Sequence, residues 1–309
     1  WPAIFLINVP LGLTILLLIH RYLPVDGIRR QVLQRRFDVM GTLLLALTLA
    51  AYALAMTVGR GNLGTRNIGL LITAFIGIGL FVLAERRARS PLIRLAMFRQ
   101  ASLRANLAMS LLVSTVMMAT LVVGPFYLSH TLGLGAGWLG LVLSVGPLCA
   151  AMAGVLAGRL VDDLGTHRMI RMGLSGIVIG CVLLSVIPAS QGAMGYMLPI
   201  VVLTIGYALF QTANNTAVMM DVHPDQRGVI SGLLNLSRNL GLITGASVMG
   251  ALFTYASGTS DITTASSEAV ATGMQITFAM AGLLIFIALL TAGGTRAADV
   301  RPVLAEEAS

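Results

Sequence analysis

Tyr207, Gln211, Asn214 and Asn215 stand at i, i+4, i+7 and i+8 within an apolar run, so one hydroxyl and three amides share a helical face. Neutral amides both donate and accept, and can orient many ligands without demanding a charge. In hydrocarbon such groups are costly unless they meet water, a ligand or one another. Two readings follow: the wall of a cavity for a small molecule, or an interhelical clamp worth about 0.6 kcal/mol per bond. Four polar groups on one stripe exceed what a clamp needs, which favours the cavity.

A second stripe centres on Arg238, ten residues past Gly228 and so about 15 Å along a helix. An arginine near mid-span costs about 2.5–3.5 kcal/mol on insertion scales and calls for a partner or water. Ser231, Asn235 and Asn239 share its face. The alternative is a side chain that snorkels to the headgroups. A third face carries Asn106, Ser110, Ser114, Met117 and Met118. Methionine adapts to ligands of many shapes and is equally ordinary core filler, so Ser114 and Met118 are candidates for the cavity with both readings open. Gly241 and Gly245 form a small-x-x-x-small pair suited to close helix packing. Pro125 and Pro147 lie within spans and can kink them.

The elements that must hold these stripes are membrane spans. Apolar runs cover 2–22, 39–58, 67–84, 105–128, 138–160, 169–188, 196–220, 229–255 and 272–292, each near the 20 residues needed to cross a hydrocarbon core. They are continuous rather than alternating, which selects helices over barrel strands. The chain has 57% apolar residues, 10% charged residues and no lysine, a composition that excludes an ordinary soluble domain. Of its 20 arginines, alternate loops place all but Arg60, Arg66 and Arg238 on one face. The positive-inside bias makes that face cytoplasmic. The same placement accounts for the formal charge of +8 without nucleic acid. Cys149 and Cys181 fall inside spans as free thiols.

No catalytic or metal constellation appears: H-E-x-x-H, G-x-S-x-G and Walker loops are absent, and the four histidines are isolated. No cofactor is expected, and the chain reads as no enzyme. The match to G-x-G-x-x-G at 135–140 lies in an outer loop rather than after a strand. All twelve carboxylates fall in loops, tails or span ends, so no acid sits at mid-membrane to carry a proton.

Composition divides the chain into a first span (1–22), a basic linker (23–37), two plain spans (38–86) and a second basic linker (87–104). A six-span bundle (105–294) and a polar tail expected to be disordered (295–309) follow. The plain spans are expected to face lipid or pack passively. Six spans fit a three-plus-three repeat of the kind found in transporter halves. Trp1 opens the chain outside and in mid-helix, so the chain reads as a fragment.

Three blocks carry a family resemblance. Ile4-Phe5-Leu6-Ile7-Asn8-Val9-Pro10-Leu11-Gly12 resembles the sixth span of the fourteen-span drug:proton antiporter branch (EmrB/QacA type) of the major facilitator superfamily. The stretch from Gly158 through Asp162 and Gly165 to Arg168 resembles the superfamily's short cytoplasmic Gly-x-x-x-Asp-x-x-Gly-x-x-Arg loop, departing at Thr166-His167 from its usual basic pair. Residues 227–241, Arg227-Gly228-Val229 onward, resemble the branch's thirteenth span. The resemblance implies an all-α integral membrane bundle of about nine transmembrane helices, spans six to fourteen, without the first five. It implies export of drug-like or other amphipathic small molecules in exchange for protons from a bacterial inner or plasma membrane. The partners would be those substrates, protons, membrane lipid and the missing N-terminal half, which would hold the coupling acid. Gly158, Asp162, Gly165 and Arg168 would form a cytoplasmic gate. A carrier of one narrower substrate, such as a peptide, sugar or amino acid, is the alternative.

Overall fold

The computed structural model describes residues 6, 8–22, 38–58, 64–88, 91–220, 222–223, 226–258 and 265–306, with backbone alone beyond 292. Among them the ordered elements are helices: α1 (Asn8–Tyr22), α2 (Val39–Val58), α3 (Thr65–Arg87), α4 (Ala101–Phe126), α5 (Ala136–Leu164), α6 (Thr166–Val186), α7 (Gly192–Met220), α8 (Arg227–Ala256) and α9 (Ser267–Glu306), with three short helical turns between them. Eight, α2 to α9, contain stretches long and apolar enough to cross a membrane. Most of the first expected span lies outside the described residues, as do the linker at 23–37 and the loop around Thr259 and Asp261. Residues 1–38 form one unit and 39–309 a second. The two plain spans and the six-span bundle thus share one body.

Several helices outrun their hydropathy signal. The span read at 67–84 continues through Arg87 because Glu85, Arg86 and Arg87 sustain the helix. This carries Glu85 to 3% exposure, with the Ile93 amide 3.5 Å from its carboxylate. At the other end of the chain the backbone stays helical through Glu306, correcting the expected disordered tail. The stretch Thr295-Arg296-Ala297-Ala298 is rich in helix formers and offers no stop. Past Pro125, α4 passes into a π turn over Tyr127–Thr131, and the Ser129 hydroxyl donates to the Pro125 carbonyl at 2.7 Å.

Small residues set the packing. A Cβ added at Gly241 or Gly245 would strike the carbonyl oxygens of Leu111 and Thr115 on α4. Ser237 donates to Leu107 O at 2.6 Å, and Thr115 donates to Gly241 O at 3.1 Å. The glycine pair is therefore packing, closing α4 onto α8. Gly173 and Gly206 do the same for α6 and α7, where a Cβ on Gly173 would come within 2.6 Å of Phe210 N. α9 runs along α6, and Gln275 reaches Ile187 O at 3.1 Å.

Contrary to passive lipid-facing helices alone, α2 and α3 form a hairpin seated on α8. Asn67 donates to Ala55 O at 2.8 Å within the hairpin, and the Tyr52 and Thr244 hydroxyls bond at 2.5 Å across to α8. Their outer surfaces still face lipid, with Phe75 80% exposed.

Candidate functional site

A cavity of about 270 Å³ lies between α4, α5, α7 and α8. Met117 and Thr120 come from α4, Gly146 from α5, Thr204 and Tyr207 from α7, and Leu242 from α8. Gly146 faces α7 across it, where a Cβ would stand 3.6 Å from both Ile200 and Thr204, in ordinary van der Waals contact. The wall is apolar apart from the hydroxyl-bearing residues Thr120, Tyr196, Thr204 and Tyr207, and no charged residue belongs to it. Toward the arginine-rich end the bundle is filled by Leu103, Val218, Ile230 and Leu234.

Tyr207 is the meeting point of the two polar stripes. The Arg238 side chain comes close to Tyr207 from α8, and its guanidinium donates to Asn235 Oδ1 at 2.9 Å. Asn235 donates to Ser231 O at 3.1 Å, and Asn239 donates to Asn235 O at 2.9 Å. Arg238 thus has a hydrogen-bond partner on its own helix and lies beside the polar group of α7.

The other candidates disperse. Gln211 is half-buried beside Tyr207, and Asn215 is exposed. Asn214 is 1% exposed, and its carboxamide oxygen has no partner among the described residues. None of Gln211, Asn214 and Asn215 belongs to the cavity wall. Ser114 is also 1% exposed and packs against Gly241, so it lies in the α4–α8 contact. Met118 sits against Gly245 and faces a different cavity, leaving Met117 to face the central one. Thr120, Thr204 and Gly146 were missed. Thr204 stands three residues before Tyr207, on the same helical face, and that spacing could have found it.

At the arginine-rich end a cavity of about 450 Å³ is lined by Asp162, Gly165, His167, Arg168 and Arg171, with Thr216 and Met220 of α7. Gly165 joins α5 to α6 with φ +80°, a conformation that favours glycine. Asp162 is exposed, and no ion pair joins it to an arginine among the described residues. Gly158 lies one helical turn before Asp162 on α5, with open space where a Cβ would point. Three of the four motif residues therefore meet in one cavity.

Eight helices long and apolar enough to cross a membrane define a multi-pass membrane protein. The family model described as Major Facilitator Superfamily matches residues 1–246, and the chain belongs to that superfamily. It is 27% identical over 253 residues to the riboflavin transporter RibZ of Clostridioides difficile, covering 82% of this chain and 54% of RibZ. Identity to the multidrug resistance protein Stp of Mycobacterium tuberculosis is 28% over 254 residues, covering 82% and 47%. A solved nucleoside transporter, a NupG mutant, shares the fold with TM-score 0.55 at 13% identity, covering 82% of this chain and 65% of NupG. The chain spans about half the length of the curated relatives it matches.

Proposed function

We propose that this chain supplies the C-terminal bundle and the two inserted spans of a proton-driven exporter of the fourteen-span branch, moving drugs or other amphipathic small molecules by alternating access. The observation that carries this reading is the central cavity: apolar, uncharged, and edged by Tyr207 with Arg238 behind it. Such a wall takes an apolar body and offers a few hydrogen bonds without fixing one shape. Similarity to Stp and to the multidrug transporter protein MdtP of Bacillus subtilis supports the substrate class. Gly158, Asp162, Gly165 and Arg168 would form the cytoplasmic gate. No carboxylate lines the cavity among the described residues, so the coupling acid would belong to spans outside this chain.

Similarity to RibZ favours a second reading, a carrier of one flat, hydrogen-bonding heterocycle. The test is the complete protein in proteoliposomes, assayed with ethidium, Hoechst 33342 and riboflavin under an imposed pH gradient. Gradient-dependent transport of both dyes supports the exporter. Transport of riboflavin alone supports the second reading, and dye transport indifferent to the gradient removes proton coupling.

A further inference from the structure

Arg238 stands about 15 Å along α8 from Gly228, a depth at which a guanidinium calls for an anion or water. α4, α7 and α8 contain no carboxylate, and α5 carries Asp162 and Asp163 only in its last turn. The four helices around the central cavity therefore offer Arg238 no counter-ion at its own depth. Its neighbours do not supply one either. Asn235 and Asn239 each donate an amide hydrogen to a carbonyl of their own helix. A guanidinium has five N–H donors and no acceptor. Among the described residues Arg238 meets only Asn235 and Tyr207, so most of its donors are left over. Arg238 is half-buried, and Asn235 and Asn239 beside it are exposed, so a small molecule can reach the guanidinium. Leu242, one turn further along α8, and Tyr207 on α7 both belong to the cavity wall. The charge sits at the inner edge of an apolar space.

We propose that Arg238 binds an acid carried by the transported molecule, so that the site favours amphipathic monoanions. The apolar body occupies the central cavity, and a carboxylate or like oxyanion meets the guanidinium. The inference deepens the exporter reading by naming a substrate class, and it takes from that reading the central cavity as the place of binding. A planar fork meets a carboxylate through two parallel bonds, and apolar surroundings strengthen them. The cavity, about 270 Å³, lies just below the usual range for drug-sized ligands, so a small fused-ring body suits it.

The test is equilibrium binding of radiolabelled 2-naphthoate and 2-naphthamide, which share a ring system and differ in charge. The complete protein is used in nanodiscs at neutral pH, with empty nanodiscs as the blank. The unaltered protein should hold the naphthoate about tenfold or more tightly than the amide, the scale of a charge-assisted contact. Arg238→Gln should abolish that preference by weakening the acid alone, with amide binding changed by about threefold at most. Equal affinities in the unaltered protein assign Arg238 to an acid of the half outside this chain and overturn the proposal. Binding of neither ligand, parallel loss of both in Arg238→Gln, or a preference that survives there overturns it too. Arg238→Lys decides where Arg238→Gln is not recovered folded: an acid preference carried by the lysine charge supports the proposal, and none overturns it. Dye transport under the pH gradient tests the exporter reading separately. Dyes moved without any acid preference leave that reading standing without this one, and an acid preference in a protein that moves no dye removes the exporter reading instead.

Discussion

Replacing Arg238 with alanine separates a functional charge from a tolerated one. In the structure the guanidinium bonds Asn235 at 2.9 Å and comes close to Tyr207. A polar contact between membrane helices averages about 0.6 kcal/mol, so losing the one between Arg238 and Tyr207 costs about threefold in an equilibrium. Against this, removing an arginine from mid-span recovers about 2.5–3.5 kcal/mol of insertion cost. The second term is the larger, so Arg238→Ala should reach the membrane at normal or raised levels. Its transport should nonetheless fall about threefold, because Tyr207 loses the group that positions it at the cavity. Lysine should rescue only in part, since a point charge lacks the planar fork that meets two acceptors. The assay is initial dye efflux by the complete protein, normalised to its level in purified membranes. Normal efflux by the alanine variant, or a loss that merely follows protein level, would refute the reasoning.

Gly245→Leu should lower the thermal stability of the detergent-solubilised protein, since its Cβ meets the backbone carbonyl of Thr115 and overpacking costs typically 1–3 kcal/mol. Gly250→Ala, whose Cβ would meet only Val122 at 3.6 Å, should leave the unfolding temperature unchanged. Asn214→Leu should raise that temperature, because it removes a buried acceptor left unpaired at a cost of about 1–3 kcal/mol. Asn215→Leu lies at an exposed position outside the cavity wall and should leave that temperature unchanged. A stabilising Asn215→Leu or a neutral Asn214→Leu would reverse those assignments. For topology, a cysteine replacing Asp163 should resist an impermeant external thiol reagent and one replacing Thr259 should react; labelling of the former from outside would invert the orientation.

The spans were legible because hydropathy over 20 residues is a long-range average that few local substitutions disturb. Their ends were not, since Glu85 and Arg86 are good helix formers that hydropathy counts against a span. Tyr207 and Arg238 were each visible as polar groups in apolar runs, but their meeting was not. It depends on the register between α7 and α8, which no single helix encodes. The fate of the amide stripe was likewise hidden. On an ideal wheel Asn214 lies only about 20° from Tyr207, yet one lines the cavity and the other is buried. Asn214 sits seven residues, roughly 10 Å, nearer the arginine-rich end. There Leu103, Val218, Ile230 and Leu234 close the bundle. Depth decided what face could not.

That closure gives the polar bridge its meaning. The glycines at 241 and 245 lock α4 to α8, and those at 173 and 206 lock α6 to α7, each through contacts with backbone atoms. Backbone contacts cannot yield by rotamer changes, so each pair moves as a unit. α7 and α8 touch little by comparison, and the central cavity opens along the seam between the two pairs. Tyr207 and Arg238 face each other across that seam. α9 packs against both pairs and carries most of the apolar contact that joins them, so the polar contact adds to that seam and does not govern it alone. A molecule entering beside Tyr207 would compete for the same hydroxyl, coupling occupancy of the cavity to the spacing of the two pairs. On this argument Arg238 helps to hold the seam, and variants that weaken it should alter transport before they alter folding.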